Sequence, residues 1–242
     1  MFAGPNGSGK STLKSVLPPQ LLGVYINPDE IEKEIRERGF VDLVSRGVPS
    51  AEAAVIAFFQ NSSFLKKVGL SDAVKHLRVA NGRLTFEGVT VNAYLASITA
   101  DFLRQRLLEL KVSFTLETVM SSPDKVDLLE KAQRFGYRTY LYYIATDDPD
   151  INISRVRSRV VQGGHPVPED KIVTRYKRSL DLLMEAIRHT NRAYVFDNSE
   201  HSQARTWLAE ITDGLVLEMK TDKMPAWFKH AVLDKIKPAS TD

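Results

Sequence analysis

Along the chain, short runs of consecutive apolar or β-branched residues alternate with longer stretches in which apolar positions recur every three or four residues. The short runs are "LGVYI" around residues 23–27, "SFTLE" (113–117), "TYLYYIA" (139–145) and "AYVFD" (193–197). Each stops where polar residues begin, as buried strands do. The longer stretches predict helices. One covers 11–17 behind a glycine-rich turn, and another opens at "DEIEKEIRERG". A third covers 94–110, with Tyr94, Ile98, Phe102 and Leu110 on one side; a fourth covers 168–190, with Ile172, Tyr176, Leu180, Leu183 and Ile187 in one stripe. Two helix starts are written out residue by residue: Ser122 and Asp148 as N-caps, each followed by proline, with Gly136 past the end of the first helix. Strands alternating with helices predict an α/β fold, a mostly parallel sheet flanked by helices.

One stretch breaks the rhythm. Within 58–92, "HLRVANGRLTFEG" places Asn81-Gly82 between two strand-like runs, the signature of a tight hairpin. It reads as an insertion into a single domain spanning 1–242, and the tail after Thr212 reads as a small strand and helix. Composition adds exclusions. The 43% hydrophobic and 26% charged content is that of an ordinary globular protein. With no apolar run long enough to cross a membrane and no signal peptide, a cytoplasmic location is expected and a membrane partner is not. The absence of cysteine rules out disulfides, zinc–thiolate sites and a cysteine nucleophile. A net charge of +3, spread along the chain, is explained by a pocket for polyanionic nucleotides as well as by nucleic acid, and no aromatic–basic strip argues for the latter.

The chemistry begins at once. Gly4, Pro5, Asn6, Gly7, Ser8, Gly9, Lys10 and Ser11 satisfy Gly-x-x-x-x-Gly-Lys-Ser, and Thr12 follows. In such a loop, glycines let successive N–H groups converge on phosphate oxygens at a helix start. Lysine reaches the outer phosphates and the serine hydroxyl ligates Mg²⁺. ATP and Mg²⁺ are therefore the expected cofactors, with Ser11 the metal ligand. Asp29 lies just past the strand after the loop's own helix, where ligands of open α/β sheets bind. It could take the proton of an attacking hydroxyl, or Asp29 or Asn27 could simply cap the next helix. Glu117, with Thr118 beside it, ends a strand and suits substrate hydroxyls or metal-bound water; an ion-pair role is the bland alternative. No strand ends in an Asp-Glu pair and no Leu-Ser-Gly-Gly-Gln is present, which disfavours ATP hydrolysis as the main purpose.

Arg155 and Arg159, four residues apart, share a helix face. "GGHPVPEDK" after them has a flexible glycine pair and a proline stop, which suits the hinge of a lid over about 150–178, and His165 within it could bind phosphate. Arg175 shares a face of the next helix with Arg178, and Asn198 lies in "FDNS", a candidate base-side loop. A lid carrying arginines to a transferring phosphoryl group is what small-molecule kinases need.

Together "GPNGSGKST", "NPDEI", "ETVMSS", "RVRSRVVQGGHPVPEDKIVTRYKRSL" and "YVFDNS", in this order, resemble the zeta-toxin-like P-loop kinases over most of residues 1–199. The resemblance implies an adenylate-kinase-like core and phosphorylation of a small-molecule hydroxyl, in the toxins that of a UDP-linked amino sugar. It implies Lys10 and Ser11 as phosphate and metal residues, Asp29 as catalytic base and Glu117 on the acceptor. Arg155, Arg159 and His165 compete for the lid role, and an antitoxin-like partner protein is a further expectation. Two other readings stand beside this one: a nucleic-acid end kinase, and an ATP-binding switch that transfers nothing.

Overall fold

The computed structural model describes residues 1–200 and 205–236. Its strands in chain order are β1 (Phe2–Ala3), β2 (Val24–Ile26), β3 (Phe40–Asp42), β4 (Leu77–Ala80), β5 (Arg83–Phe86), β6 (Phe114–Thr118), β7 (Tyr140–Ala145), β8 (Arg192–Asp197), β9 (Thr206–Thr212) and β10 (Val216–Met219). The α-helices are α1 (Pro28–Arg38), α2 (Glu52–Gln60), α3 (Ser63–Lys67), α4 (Ala93–Glu109), α5 (Asp124–Arg134), α6 (Pro149–Val161), α7 (Glu169–Asp181), α8 (Leu183–Arg188) and α9 (Ala226–Ala231). The chain divides into two compact units, Met1–Leu17 with Glu117–Asp242, and Pro18–Leu116.

In the first unit β1 is short but central. It pairs in parallel with the end of β6 (Phe2↔Glu117, Ala3↔Thr118) and with β7 (Phe2↔Tyr142, Ala3↔Tyr143). β8 extends the parallel order, and β9 and β10 add an antiparallel border. The predicted mostly parallel α/β sheet is thus present. The period-two pattern of β7 sends Leu141, Tyr143 and Ala145 into the core. The Tyr143 hydroxyl lies 3.0 Å from Ser179 Oγ, which donates to Val119 O at 2.8 Å, and Tyr176 Oη donates to Thr146 O at 2.6 Å. These bonds seat α7 against the strand ends. Burial pushes the Tyr143 and Tyr176 phenols up, so both remain donors. On the other face Tyr142 and Tyr194 stack at 4.8 Å, and Lys220 lies over Trp207.

In the second unit β2 runs parallel to the start of β6 (Tyr25↔Thr115), and α1, whose Ile31 and Ile35 are buried, packs on α4. The hairpin forms as predicted. Asn81 (φ 51°) and Gly82 (φ 71°) occupy the two left-handed positions of the turn between β4 and β5. It does not stand alone, because β5 also pairs with β3 to make a three-stranded antiparallel sheet.

Several element-level expectations need correcting. The segment after the glycine loop is a 3₁₀ helix, Lys10–Val16. In α4 Ile98 and Phe102 are buried, but Tyr94 and Leu110 are 50% and 41% exposed, because they sit at the two ends of the helix beyond its packed middle. Ser122 does not cap α5: its hydroxyl turns to the Asp124 carboxylate and the helix begins at Asp124. Asp148 does cap α6, accepting from Asp150 N at 2.8 Å. The helix expected over 168–190 is interrupted at Leu182, and the break lets α8 bury Met184 and Ala186 besides Leu183 and Ile187.

Candidate functional site

The glycine loop leaves the carboxyl end of β1 and runs into the 3₁₀ helix. All three of its glycines are obligatory on this geometry, and at Gly7 (φ 74°) a Cβ would fall 2.5 Å from Asn152 O. Gly4 (φ 144°) would place a Cβ 2.0 Å from Ile144 O, and Gly9 (φ 100°) would place one 2.6 Å from Asn198 Nδ2. Two asparagines hold the loop by its carbonyl oxygens. Asn152 of α6 donates through Nδ2 to Asn6 O, its own Oδ1 taken by the Thr146 hydroxyl, and Asn198 Nδ2 donates to Ser8 O at 2.8 Å. Since a peptide's N–H points away from its C=O, these bonds turn the N–H groups of Gly7 and Gly9 to the opposite side. Among the described residues the buried side-chain oxygens lacking a hydrogen-bond partner are Asn6 Oδ1 and Ser8 Oγ, both on this loop. A cradle of N–H groups turned by glycine, with the Ser8 hydroxyl free to donate, fits a polyanion such as a nucleoside triphosphate.

Lys10 is buried and donates through Nζ to Pro5 O at 2.8 Å, so its ammonium lies across the loop it would serve. Ser11 Oγ donates to Glu117 Oε1 at 3.2 Å. The two residues are 106 positions apart, and the β1–β6 pairing brings them together. A hydroxyl and a carboxylate at the mouth of a phosphate cradle suit Mg²⁺, which keeps several waters and takes phosphate oxygens for the rest. No cluster of three or more His, Asp or Glu placed to hold a metal occurs among the described residues. Thr118 Oγ1 accepts from Met120 N at 3.0 Å and shapes the turn after β6. Thr12 Oγ1 donates to Gly9 O at 2.7 Å and closes the loop's last turn.

The arginines separate. Arg155 Nη1 donates to Asn198 O at 2.7 Å and Nη2 to Glu200 O at 3.2 Å, so it holds the loop after β8. Partial burial holds its guanidinium below the usual arginine range, against the opposing pull of Asp197. Arg159 Nη2 donates to His165 O at 3.1 Å and lies over Gly164. Arg157 pairs with Glu169 and ties α6 to α7. His165 and Arg175 are exposed. Asp29 belongs to the Pro18–Leu116 unit and is exposed at the second position of α1; Asn27 is the cap, accepting from Asp29 N at 2.9 Å.

Sequence reasoning missed three contributors. Asn152 braces the loop from α6. Asp197, 7% exposed, accepts from Ser199 N (3.1 Å), Ser199 Oγ (2.7 Å) and Trp227 Nε1 (2.8 Å), and so organises the loop that contains Asn198. Arg205 Nη1 donates to Thr12 Oγ1 at 2.9 Å. Asp197 ended a predicted strand and could have been noticed there. Asn152 and Arg205 carry no motif.

A glycine cradle at the carboxyl edge of a parallel sheet, with lysine and serine at its end, defines a P-loop α/β fold. The sequence model of zeta toxins matches residues 89–211, just over half of the 242 residues, and the chain belongs to that family. Members of it are kinase-like phosphotransferases. The matched segment includes Glu117, the α6–α7 arginines, Asn198 and Arg205; the glycine loop and Asp29 precede it. A stretch of 65 residues is 31% identical to an uncharacterised protein of Haemophilus influenzae, covering 27% of this chain and 46% of that protein. Among solved structures, the AvrRxo1-ORF1:AvrRxo1-ORF2 complex with sulphate ions superposes with a TM-score of 0.52, and the same complex with ATP with 0.50. Each is 13% identical and covers 90% of this chain, which spans 60% of the solved chain. The likeness is one of fold. Among the described residues no helix is long and apolar enough to cross a membrane.

Proposed function

We propose that the protein is an ATP- and Mg²⁺-dependent phosphotransferase acting on a hydroxyl of a small molecule, with a nucleotide sugar as the first acceptor class to test. The observation that carries this reading is the Ser11–Glu117 hydrogen bond at the mouth of the glycine cradle, with Lys10 buried behind it. ATP would supply the γ-phosphoryl group, and Ser11 would hold Mg²⁺, whose charge would offset that of the phosphates. The loop N–H groups and Lys10 orient the phosphates, and Arg155 or Arg159 adds positive charge from the lid side. Glu117 and Thr118 hold the acceptor, and Asp29 takes the proton from its hydroxyl as the new P–O bond to the γ-phosphorus forms and the bond to the β,γ-bridging oxygen breaks, releasing ADP. Support for nucleotide binding comes from the neighbour solved with ATP. That neighbour is also a two-protein assembly, and we extend this to a partner protein of the antitoxin kind. A cytoplasmic location belongs to the same proposal.

The test is transfer from γ-labelled ATP and Mg²⁺ into pools of nucleotide sugars, sugars, nucleosides and oligonucleotides. Wild type, Lys10→Ala and Asp29→Asn are run side by side. We expect a labelled small molecule, lost in both variants, with ATP affinity nearly unchanged in Asp29→Asn. Label on an oligonucleotide alone would move the reading to an end kinase. Tight ATP binding with no product in any pool, and no effect of Asp29→Asn, would move it to a switch.

A further inference from the structure

Arg205 stands at the start of β9, the first antiparallel strand of its unit. The β8–β9 register pairs Asp197 with Thr206, so Arg205 falls one residue beyond that pair, at the same strand edge as Asn198. From there its guanidinium reaches the glycine loop, Nη1 donating to Thr12 Oγ1 at 2.9 Å.

Its charge is not used as other arginines of the unit use theirs. Arg157 pairs with Glu169, Arg188 with Glu185 and Arg192 with Glu210. Among the described residues no carboxylate pairs with Arg205, and partial burial holds its guanidinium below the usual arginine range. A partly desolvated cation beside a phosphate-binding loop, facing no acid, is stabilised by an anionic ligand.

Position along the loop says which part of that ligand. In a loop of this type lysine serves the outer phosphates and the next serine the metal. Thr12 lies one residue further into the helix, on the side where Asn198 contacts Ser8 and Gly9 and where Arg155 holds the loop after β8. Since Asn198 belongs to the loop read from the sequence as the base side, this reading makes it the nucleoside side. We infer that Arg205 is a nucleotide-binding residue whose guanidinium contacts the α-phosphate of the bound nucleotide, and that Thr12 aims it there. The inference rests on the nucleotide-binding reading of the loop and adds to it a specific contact outside the motif.

Calorimetric binding of ATP–Mg²⁺ and ADP–Mg²⁺ tests this without any phosphoryl transfer. Wild type, Arg205→Ala, Arg205→Gln, Arg205→Lys and Lys10→Ala are compared, with thermal denaturation recorded for each. Arg205→Ala and Arg205→Gln should weaken ATP and ADP by the same factor, about tenfold or more, while Arg205→Lys stays within about threefold of wild type. Wild type should also discriminate the two diastereomers of α-thio-ATP, and Arg205→Ala should discriminate them less. Unchanged affinities with only a lower melting temperature would overturn the inference, leaving Arg205 a brace for Thr12. Loss of ATP affinity with ADP unaffected would overturn it by placing the contact at the terminal phosphate. No nucleotide binding by wild type, or binding indifferent to Lys10→Ala, would overturn the reading of the loop and this inference with it. Intact binding in Arg205→Ala beside lost binding in Lys10→Ala would overturn the inference alone.

Discussion

Replacing Trp227 by phenylalanine tests whether the segment after β10 helps to shape the loop after β8. Trp227 is 4% exposed, and its indole N–H donates to Asp197 Oδ1 at 2.8 Å. Asp197 is itself 7% exposed and accepts two further bonds from Ser199, whose hydroxyl accepts from Asp147 N at 2.9 Å. The next residue, Asn198, holds Ser8 O of the glycine loop. A hydrogen bond to a charged acceptor contributes about 1.5–3 kcal/mol. Trimming the indole to a phenyl ring inside the core adds about 1 kcal/mol for the space left behind. Trp227→Phe should therefore cost about 2.5–4 kcal/mol in urea unfolding followed by far-ultraviolet circular dichroism, a summation of those two terms. The cavity is separated from the hydrogen bond by a cycle with Asp197→Ala, which removes the acceptor. If the bond carries the effect, the coupling between the two changes should reach about 1 kcal/mol or more. Nucleotide affinity should fall as well, because the strand end that aims Asn198 has loosened. A cost under about 0.5 kcal/mol, or a coupling near zero, would refute the idea that this indole organises Asp197.

Two further outcomes are expected. Gly82→Ala would force a side chain into a left-handed turn at φ 71° with its Cβ 2.3 Å from Val44 Cγ2, and should cost about 1 kcal/mol or more in the same unfolding assay. Burial pushes the Tyr142 phenol up to about 12 from its ordinary 10.0, so the fold favours the neutral form. That contribution is complete below pH 10.0 and is lost as pH rises towards about 12. Tyr142→Phe should flatten the fall in melting temperature above pH 10.0 while leaving the value at neutral pH nearly unchanged.

What could be read from the chain was set by neighbours in sequence. The glycine loop is legible because its peptide conformations depend on Gly4, Gly7 and Gly9 themselves, and the Asp148 cap and the Asn81-Gly82 turn are equally local. The parallel core strands were visible because strands buried on both faces are nearly continuous apolar runs. β9 was missed although "TWLAEIT" buries Leu208, Ala209 and Ile211, since polar residues interrupt its run and hide it from a search for continuous apolarity.

The sequence by itself determined the glycine loop and the α/β class, because glycine dihedrals and apolar periodicity are properties of a few adjacent residues. Only the tertiary structure decided what surrounds that loop. Ser11 meets Glu117 because β1 lies next to β6, a strand 106 residues away in the pairing of those two side chains. Asn152, Asn198 and Arg205 reach the loop from a helix, a strand end and an antiparallel strand start, respectively. Strand order and direction are settled by packing across the whole sheet, so no local pattern can announce which distant polar side chain arrives at its edge.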